Sequence, residues 1–291
     1  MRANMHRLIE FSRGIWKCMV AAQHHFNKSD GWAMSSHVAL SLMISVFPFL
    51  IFATSLAGFV GNPTKSSDLV DLTFEFWPDE IAAPVTRELN IVLAEGNAGL
   101  LTLGIALALF FASNGIEAVR VALNRAYQDN DARPAWKQRL QSIIFVIAGA
   151  FLLLALSALI IFVPKYLSFV EHASPAVYGR FFASKSLTFT TALGLLVFVI
   201  FACHYWLPGH RRSVSETWPG IALTLLLWTL SANVFTSYLK LYADYNATYA
   251  GLAGIMTAQI FLYVMAVVLI FGAEFNAALE GIRRPDPAQS A

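Results

Sequence analysis

Six long apolar stretches constrain what this chain can fold into. They lie at about residues 33–60, 98–118, 140–163, 186–207, 217–239 and 251–274. Roughly 20 mostly apolar residues are enough for a helix to cross the hydrocarbon core of a bilayer. In lipid such a segment must satisfy its own backbone hydrogen bonds, which favours helices. The sequence therefore predicts an all-α, polytopic integral membrane protein with six transmembrane helices.

Composition agrees with this prediction and argues against several other classes of protein. Of the 291 residues, 57% are hydrophobic and 13% are charged, whereas an average soluble domain is about 45–50% apolar and about 25% charged. The net charge of +2 is too small to indicate a nucleic-acid partner. Cys18 and Cys203 lie in different segments and indicate neither a disulfide framework nor a zinc site. We expect no cofactor and no bound nucleic acid.

The distribution of basic residues predicts the orientation in the membrane. Fourteen of the 20 lysines and arginines lie in the N-terminal segment, the loops 119–139 and 208–216, and the C-terminal segment. The positive-inside rule places that side in the cytoplasm. Both termini are then cytoplasmic, in agreement with six spans. The predicted organisation is an N-terminal amphipathic helix (1–30), one transmembrane domain (31–280) and a short cytoplasmic tail (281–291).

Two further segments have the pattern of amphipathic surface helices. Within residues 6–26, one helical face carries Leu8, Phe11, Ile15, Met19 and Ala22, and the basic residues lie off it. Such a helix lies on an anionic cytoplasmic leaflet or packs on the bundle, and the sequence leaves both open. A second amphipathic pattern occupies residues 79–93 of the acidic outer loop 62–97.

Polar residues inside or at the ends of the spans are the candidate functional residues. Ionisable groups at membrane depth are costly and usually face the bundle interior or a wet cavity. With the predicted orientation, polar groups from five spans converge near the cytoplasmic side. We hypothesise a polar vestibule that opens to the cytoplasm. Its predicted residues are His37, Ser41, Ser45, Pro48, Ser113, Asn114, Glu117, Arg120, Asn124, His204, Glu216, Gln259 and Glu274.

The same residues also fit a purely structural interpretation. Serine in a membrane helix often bonds to its own helix carbonyls or permits close packing, and Asn124 could cap a helix. Glutamates near the interface are relieved by loop salt bridges. Ala250, Gly254 and Ala258 form a ridge of small residues that serves packing within the chain or a homo-oligomer equally well. The sequence leaves these alternatives open.

Four segments carry a resemblance to a known family. They are "ALSLMISVFPFL", "VALNRAYQDNDARPAWKQRL", "LPGHRRSVSETWPGIALTLLLWTL" and "ATYAGLAGIMTAQIFLYVMAVVLIFGAEFNAALE". In this order they resemble the YihY/BrkB family of bacterial inner-membrane proteins. Two positions depart from its pattern, Ala250 where glycine is usual and Phe261 where tryptophan is usual.

The resemblance implies more about fold and location than about chemistry. It implies six membrane helices, a place in the bacterial inner membrane, and a link to virulence or to envelope and lipopolysaccharide biogenesis. Members have been labelled a tRNA-processing ribonuclease, a label regarded as mistaken. The resemblance implies no catalytic residue.

Two functional classes remain, and we expect neither to be an enzyme. The chain has no HExxH or HxHxDH pattern, Walker loop or GxSxG elbow. The basic loop 120–139 is explained by membrane topology and headgroup contact rather than by RNA. The first class is a transporter, flippase or scramblase for a membrane lipid or lipopolysaccharide precursor. The second is a non-transporting scaffold, which the lack of an inverted repeat favours.

Overall fold

The computed structural model describes the backbone of residues 2–60, 98–173, 186–241 and 250–283, and the side chains of residues 14–56, 103–156, 193–238 and 255–281. These ranges form α-helices and contain no β-strand, so the all-α prediction is confirmed for this part of the chain. The helices are α1 (Arg2–Lys28), α2 (Gly31–Val60), α3 (Ala98–Ala126), α4 (Ala135–Ala173), α5 (Ser186–Trp206), α6 (Val214–Leu241) and α7 (Ala250–Arg283).

Five helices are long and apolar enough to cross a membrane. The candidate spans are Gly31–Leu56, Leu103–Ala126, Ala135–Leu156, Val214–Tyr238 and Ile255–Gly281. They correspond to five of the six predicted spans. At the predicted fourth span, the described side chains form a shorter apolar segment, Leu193–Trp206. The fourth predicted span (186–207), and with it the total of six, stays a prediction, as does the cytoplasmic position of both termini. The predicted surface helix at 79–93 lies outside the described residues.

Neighbouring helices run antiparallel, so the polar start of one helix lies beside the polar end of the next. Asp30, just before α2, pairs with Arg125 near the end of α3, and Gly220 near the start of α6 contacts Asn276 near the end of α7. We call the end of the bundle that contains residues 25–30, 117–142, 204–217 and 274–280 the polar end. It is the end that the basic residues predict to be cytoplasmic.

Exposed tryptophans surround the polar end. Trp32 and Trp136 are the second residues of α2 and α4, Trp206 ends α5 and Trp218 lies in the first turns of α6, and all four side chains are exposed. Tryptophan is enriched where a membrane meets water, because its ring is apolar and its N–H is polar. These four residues therefore indicate the level of one membrane interface.

Hydrogen-bonded helix ends shape the two loops of the polar end. At the end of α3, Gln128 has a positive φ of 57°. Its N–H donates to Arg125 O and the N–H of Asp129 donates to Asn124 O (2.8 Å), the two bonds of a Schellman motif. At the start of α6, the Ser213 N–H donates to Glu216 Oε2 (2.8 Å), as in a capping box. The loops 127–134 and 207–213 thus leave their helices in defined directions.

Two glycines bring α6 and α7 into backbone contact. A Cβ atom at Gly272 would lie 2.0 Å from Thr224 Oγ1, and one at Gly220 would lie 2.2 Å from Gly272 O. No larger residue fits at either position without moving a helix. Close approach through small residues is the usual way in which membrane helices associate. This contact holds α6 against α7 beside the polar end.

The second half of α1 packs on the bundle. Cys18, Ala22 and Phe26 are buried, the first two against Phe275 of α7. The Phe26 ring lies edge-on to Trp32, with ring centroids 5.1 Å apart. The opposite face of α1 exposes Trp16, whose exposed fraction is 70%. One face of α1 therefore packs on the bundle, as the second interpretation of this helix expected. The opposite face carries an exposed apolar side chain, as expected for a helix at the membrane surface.

Candidate functional site

Asp131, in the loop between α3 and α4, is the centre of a buried cluster of charges. Its carboxylate accepts hydrogen bonds from Arg120 Nη1 (2.7 Å) and Asn124 Nδ2 (3.2 Å) on α3. Arg133 donates from Nε and Nη2 (both 2.7 Å) and from its backbone N–H (3.1 Å). The Asp131 side chain is 8% exposed and that of Arg120 is 6% exposed. We call this group the Asp131 cluster.

Glu117 adds a second carboxylate to the Asp131 cluster. Arg120 donates to both of its oxygens, from Nη2 and from Nε. Ser142 of α4 donates to Glu117 Oε2 at 2.8 Å. The cluster therefore holds two arginines and two carboxylates, and its charges balance. Charge-assisted pairs of this kind offset the cost of removing ions from water only when their remaining hydrogen bonds are also made, as they are here.

The Asp131 cluster joins the two loops of the polar end. Arg133 Nη2 donates to Leu207 O (3.0 Å), and the Gly209 N–H donates to Asn124 Oδ1 (2.6 Å). A Cβ atom at Gly209 would lie 3.1 Å from Asp131 Cα, so the loops approach closely there and a larger residue would require a small shift of Asp131. Loop 127–134 and loop 207–213 are thus fixed to each other and to α3.

Ion pairing changes the proton affinities of these loop residues. The hydrogen bonds from Arg133 hold the pKa of Asp131 well below its usual range, against the opposing effect of burial. The same bonds raise the pKa of Arg133. Asp131 is therefore a carboxylate throughout the physiological pH range.

Tyr127 is the centre of a second buried group, the Tyr127 cluster. Its hydroxyl lies 2.7 Å from His204 Nδ1 on α5 and accepts a hydrogen bond from Asn276 Nδ2 on α7 (3.0 Å). Asn276 also accepts from the Gly220 N–H (2.6 Å) and donates to Thr217 O (2.9 Å). Burial raises the pKa of Tyr127 well above its ordinary value, so the hydroxyl stays protonated. One tyrosine thus connects α5, α6 and α7.

Arg212 closes the Tyr127 cluster towards the surface. Its guanidinium carbon lies 4.0 Å from the centre of the Tyr127 ring. It donates to both Asp129 oxygens (2.8 and 2.9 Å) and to Glu280 Oε2 (3.0 Å). Burial lowers the pKa of Arg212, but the pairing with Asp129 and Glu280 outweighs burial and raises it. The cation is therefore permanent.

A third polar contact joins α1 to α7. Glu274, which is 1% exposed, lies 2.5 Å from His25 Nδ1 and accepts a hydrogen bond from Ser29 Oγ (2.9 Å). This contact explains how a buried carboxylate is tolerated near the end of α7, because both oxygens have a partner. It also attaches α1 to the bundle.

The structure distributes the predicted vestibule residues among several environments. Glu117, Arg120 and Asn124 meet in the Asp131 cluster, His204 lies in the Tyr127 cluster, and Glu274 pairs with His25. The others lie apart. Ser113 donates to Phe110 O, Ser45 donates to Phe111 O, and Asn114 accepts a hydrogen bond from Arg139. Glu216 caps α6, His37 is exposed, and the half-buried residues are Ser41, Pro48 and Gln259. Helix α2 continues through Pro48.

Within the described residues, most of these polar side chains hydrogen-bond to other side chains or to helix carbonyls. An apolar pocket of about 240 Å³ lies between α2, α3 and α4. Its lining is Leu42, Ser45, Val46, Phe49, Ala112, Gly115, Ile116, Phe145, Val146 and Gly149. Of the predicted vestibule residues, Ser45 alone lines this pocket. The pocket is partly open and lies at the depth of the candidate spans.

Sequence reasoning missed five residues that are central to these contacts. They are Tyr127, Asp131, Arg133, Arg139 and Asn276. Four of them lie in the segment VALNRAYQDNDARPAWKQRL and the fifth in GAEFNAALE, both of which carry the family resemblance. A signal was therefore present, but the loop charges were interpreted only as evidence of membrane topology and headgroup contact. Among the described residues, no group of three or more His, Cys, Asp or Glu side chains has a geometry that could hold a metal ion.

Comparison with protein families gives a match over most of the chain. The model described as "Virulence factor BrkB" matches residues 22–291, which include all residues of the polar end. The chain belongs to the BrkB family. The resemblance to YihY/BrkB proteins is thereby confirmed. No solved structure matches the chain.

Three relatives illustrate the range of the BrkB family. A protein of Bacillus subtilis named as ribonuclease-like, YfkH, is 29% identical over 86% of this chain and 90% of its own length. A UPF0761 membrane protein of Pseudoalteromonas atlantica is 26% identical over 86% of this chain and 82% of its own length. A UPF0761 membrane protein of Coxiella burnetii is 31% identical over 27% of this chain and 29% of its own length. This chain is thus similar to membrane proteins along most of its length.

Proposed function

We propose that this BrkB-family protein is a non-enzymatic protein of the bacterial inner membrane that accommodates an acyl chain of a lipid or envelope precursor. The observation that carries the proposal is the apolar pocket of about 240 Å³ between α2, α3 and α4. Its lining combines large apolar side chains with small residues, among them Ala112, Gly115 and Gly149. Such a surface suits a flexible hydrocarbon and offers almost nothing to a polar solute.

The position of the pocket supports a lipid as its occupant. Each of its three walls belongs to a candidate span, Gly31–Leu56, Leu103–Ala126 or Ala135–Leu156. Acyl chains are the abundant apolar molecules at this depth. Pockets for drug-sized ligands usually measure about 300–1,000 Å³, so a smaller pocket fits one chain better than an entire lipid. The headgroup would stay at the membrane interface.

The closed polar end supports entry from the bilayer and not from the cytoplasm. Arg120, Asp131 and Arg133 fill the region between the loops with mutual hydrogen bonds. We therefore favour an apolar pocket between the spans over a water-filled vestibule as the binding site. Envelope biogenesis is the process in which such handling of lipids would act, as the family resemblance suggests.

Filling the pocket tests the proposal. A Cβ atom at Gly149 would meet only Phe49, at 3.9 Å, so Gly149→Leu places a side chain in the pocket without a backbone clash. Gly104→Leu is the matched control, because Gly104 lies on a candidate span with open space around it. The full-length protein is reconstituted in vesicles that contain a phospholipid with a photoreactive group in its acyl chain.

Crosslinking sites are then mapped by mass spectrometry. We expect crosslinks on pocket residues in the wild type and in Gly104→Leu, and a clear loss of those crosslinks in Gly149→Leu. Equal labelling of the pocket in all three proteins would contradict the proposal. Thermal unfolding of each variant in detergent shows whether Gly149→Leu is folded.

The dense contacts of the polar end favour a second function, that of a non-transporting scaffold. A transporter needs two states of its bundle, and Arg133 and Asn124 connect the loops so closely that these contacts oppose such a change. Lipid scrambling in proteoliposomes distinguishes the two. Scrambling that Gly149→Leu abolishes and Gly104→Leu preserves supports lipid transfer through the pocket. Pocket crosslinks without scrambling support a scaffold that only binds lipid.

A further inference from the structure

Arg139, the fifth residue of α4, reaches across to α3 near the polar end. Its Nη1 donates to Asn114 Oδ1 (2.8 Å) and its Nη2 donates to Phe110 O (2.5 Å). The guanidinium carbon lies 3.9 Å from the centre of the Phe110 ring. The Nε–H is buried and has no hydrogen-bond partner. A buried donor without an acceptor costs free energy, so this group lacks part of its environment.

Arg139 also lacks a bonded counter-charge. Arg120, Arg133 and Arg212 each form an ion pair with a carboxylate, but among the described side chains Arg139 forms none. Glu117 attracts it only from a distance, because the oxygens of Glu117 already accept from Arg120 and Ser142. Arginine at membrane depth is expensive unless an anion or a polar group compensates it.

The surroundings of Arg139 face the bilayer. On α3, Leu103, Leu107 and Phe110 are exposed, and on α4 Trp136 and Leu140 are exposed. Trp136 belongs to the tryptophans at the interface level and lies one turn before Arg139. The guanidinium therefore lies beside the apolar surface of the bundle and close to the membrane interface, near the depth of the lipid phosphate groups.

This position is separate from the apolar pocket. At 100° per residue, Phe110 and Asn114 lie on the side of α3 opposite to Ala112, Gly115 and Ile116. The contacts of Arg139 with α3 therefore lie on a different face of α3 from the pocket. The inference below does not depend on the proposed function.

We propose that Arg139 and Asn114 bind the phosphate of an anionic phospholipid on the outer surface of the α3–α4 pair. The phosphate oxygens accept from the free guanidinium N–H groups, including Nε–H after a small rotation of the side chain. Arginine suits this role because its planar donors match phosphate geometry and its charge is permanent. The exposed leucines beside it contact the acyl chains of the same lipid.

Lipid retention by the intact protein tests the proposal. Wild type and variants are reconstituted in nanodiscs of mixed phosphatidylglycerol and phosphatidylcholine, extracted into mild detergent, and examined by native mass spectrometry. We expect Arg139→Gln to reduce retained phosphatidylglycerol roughly tenfold relative to wild type, the loss of one charge-assisted contact. Arg139→Lys keeps the charge and should retain an intermediate amount.

Arg125→Gln is the matched control, because Arg125 lies at the same end but is exposed and pairs with Asp30. It should retain as much phosphatidylglycerol as wild type. Equal retention in wild type and Arg139→Gln overturns the proposal, provided thermal unfolding shows both proteins folded. Displacement of the lipid by millimolar inorganic phosphate would assign the site to a free anion and overturn the lipid assignment.

Discussion

Asp131 and Arg133 are two residues apart in the chain, and the arginine donates to both oxygens of the aspartate. The two side-chain bonds are each 2.7 Å long. Because the same carboxylate also accepts from Arg120 on α3, one loop residue connects the loop to the helix that precedes it. The stability of the polar end should therefore depend on Asp131.

Asp131→Asn should destabilise the folded protein by about 3 kcal/mol, because it leaves the buried Arg120 cation with an incomplete set of partners. Thermal unfolding in detergent micelles measures the change. Asp30→Asn is the control, since Asp30 and Arg125 form an exposed pair and such pairs contribute about 0–1 kcal/mol. Equal losses in the two variants would show that the Asp131 cluster contributes no more than a surface ion pair.

Acidification should destabilise the protein through the same residue. The pKa of Asp131 is held below its unfolded value of about 3.8, so its contribution to stability is complete above that pH. The contribution is lost as the pH falls from there through the folded pKa. Unfolding temperatures measured across this acidic range should fall more steeply for wild type than for Asp131→Asn. Parallel curves would assign the acid sensitivity to other carboxylates.

Gly272→Ala should separate α6 from α7. The added Cβ atom would lie 2.0 Å from Thr224 Oγ1 and 2.9 Å from Gly220 O, and overpacking of this kind costs about 1–3 kcal/mol or more. Gly281→Ala on the same helix meets nothing within 4 Å and should be neutral or slightly stabilising. Unfolding temperatures compare the two. Combining Gly272→Ala with Thr224→Ala should recover part of the loss, whereas no recovery would locate the clash elsewhere.

Tyr127→Phe should cost about 1–3 kcal/mol, because it leaves the buried His204 Nδ1 and one Asn276 donor without the hydroxyl. Tyr205→Phe provides the comparison, since Tyr205 is half-buried and its ring stacks on Phe201. Urea or thermal unfolding of both variants gives the difference. A Tyr127→Phe protein as stable as Tyr205→Phe would mean that water replaces the hydroxyl.

The sequence predicted those features that depend on one helix at a time. Hydropathy identified the candidate spans, and three predicted vestibule residues of α3, Glu117, Arg120 and Asn124, meet in the Asp131 cluster. Whether such a face meets water or other charges depends on which loop lies over it. Helical periodicity carries no information about where loop residues such as Asp131 and Gly209 will lie.

The vestibule hypothesis shows the same limit. The depth of each polar residue in the membrane was inferred from its position along its span, and several of the predicted residues do lie at the polar end. The sequence could not show which partners these residues bind, because Arg133 and Asn276 come from other parts of the chain. The Gly220–Gly272 contact was missed for a similar reason, since a glycine pair is informative only when two helices are known to cross there.

The contact between Arg133 and Leu207 has a consequence for biosynthesis. Its two residues are 74 positions apart. Tyr127 and Asn276, which also form a hydrogen bond, are 149 positions apart. During translation the Asp131 cluster thus forms its local ion pairs before Leu207 and Asn276 have been made. The contacts of the polar end can therefore be completed only after α7 has been synthesised.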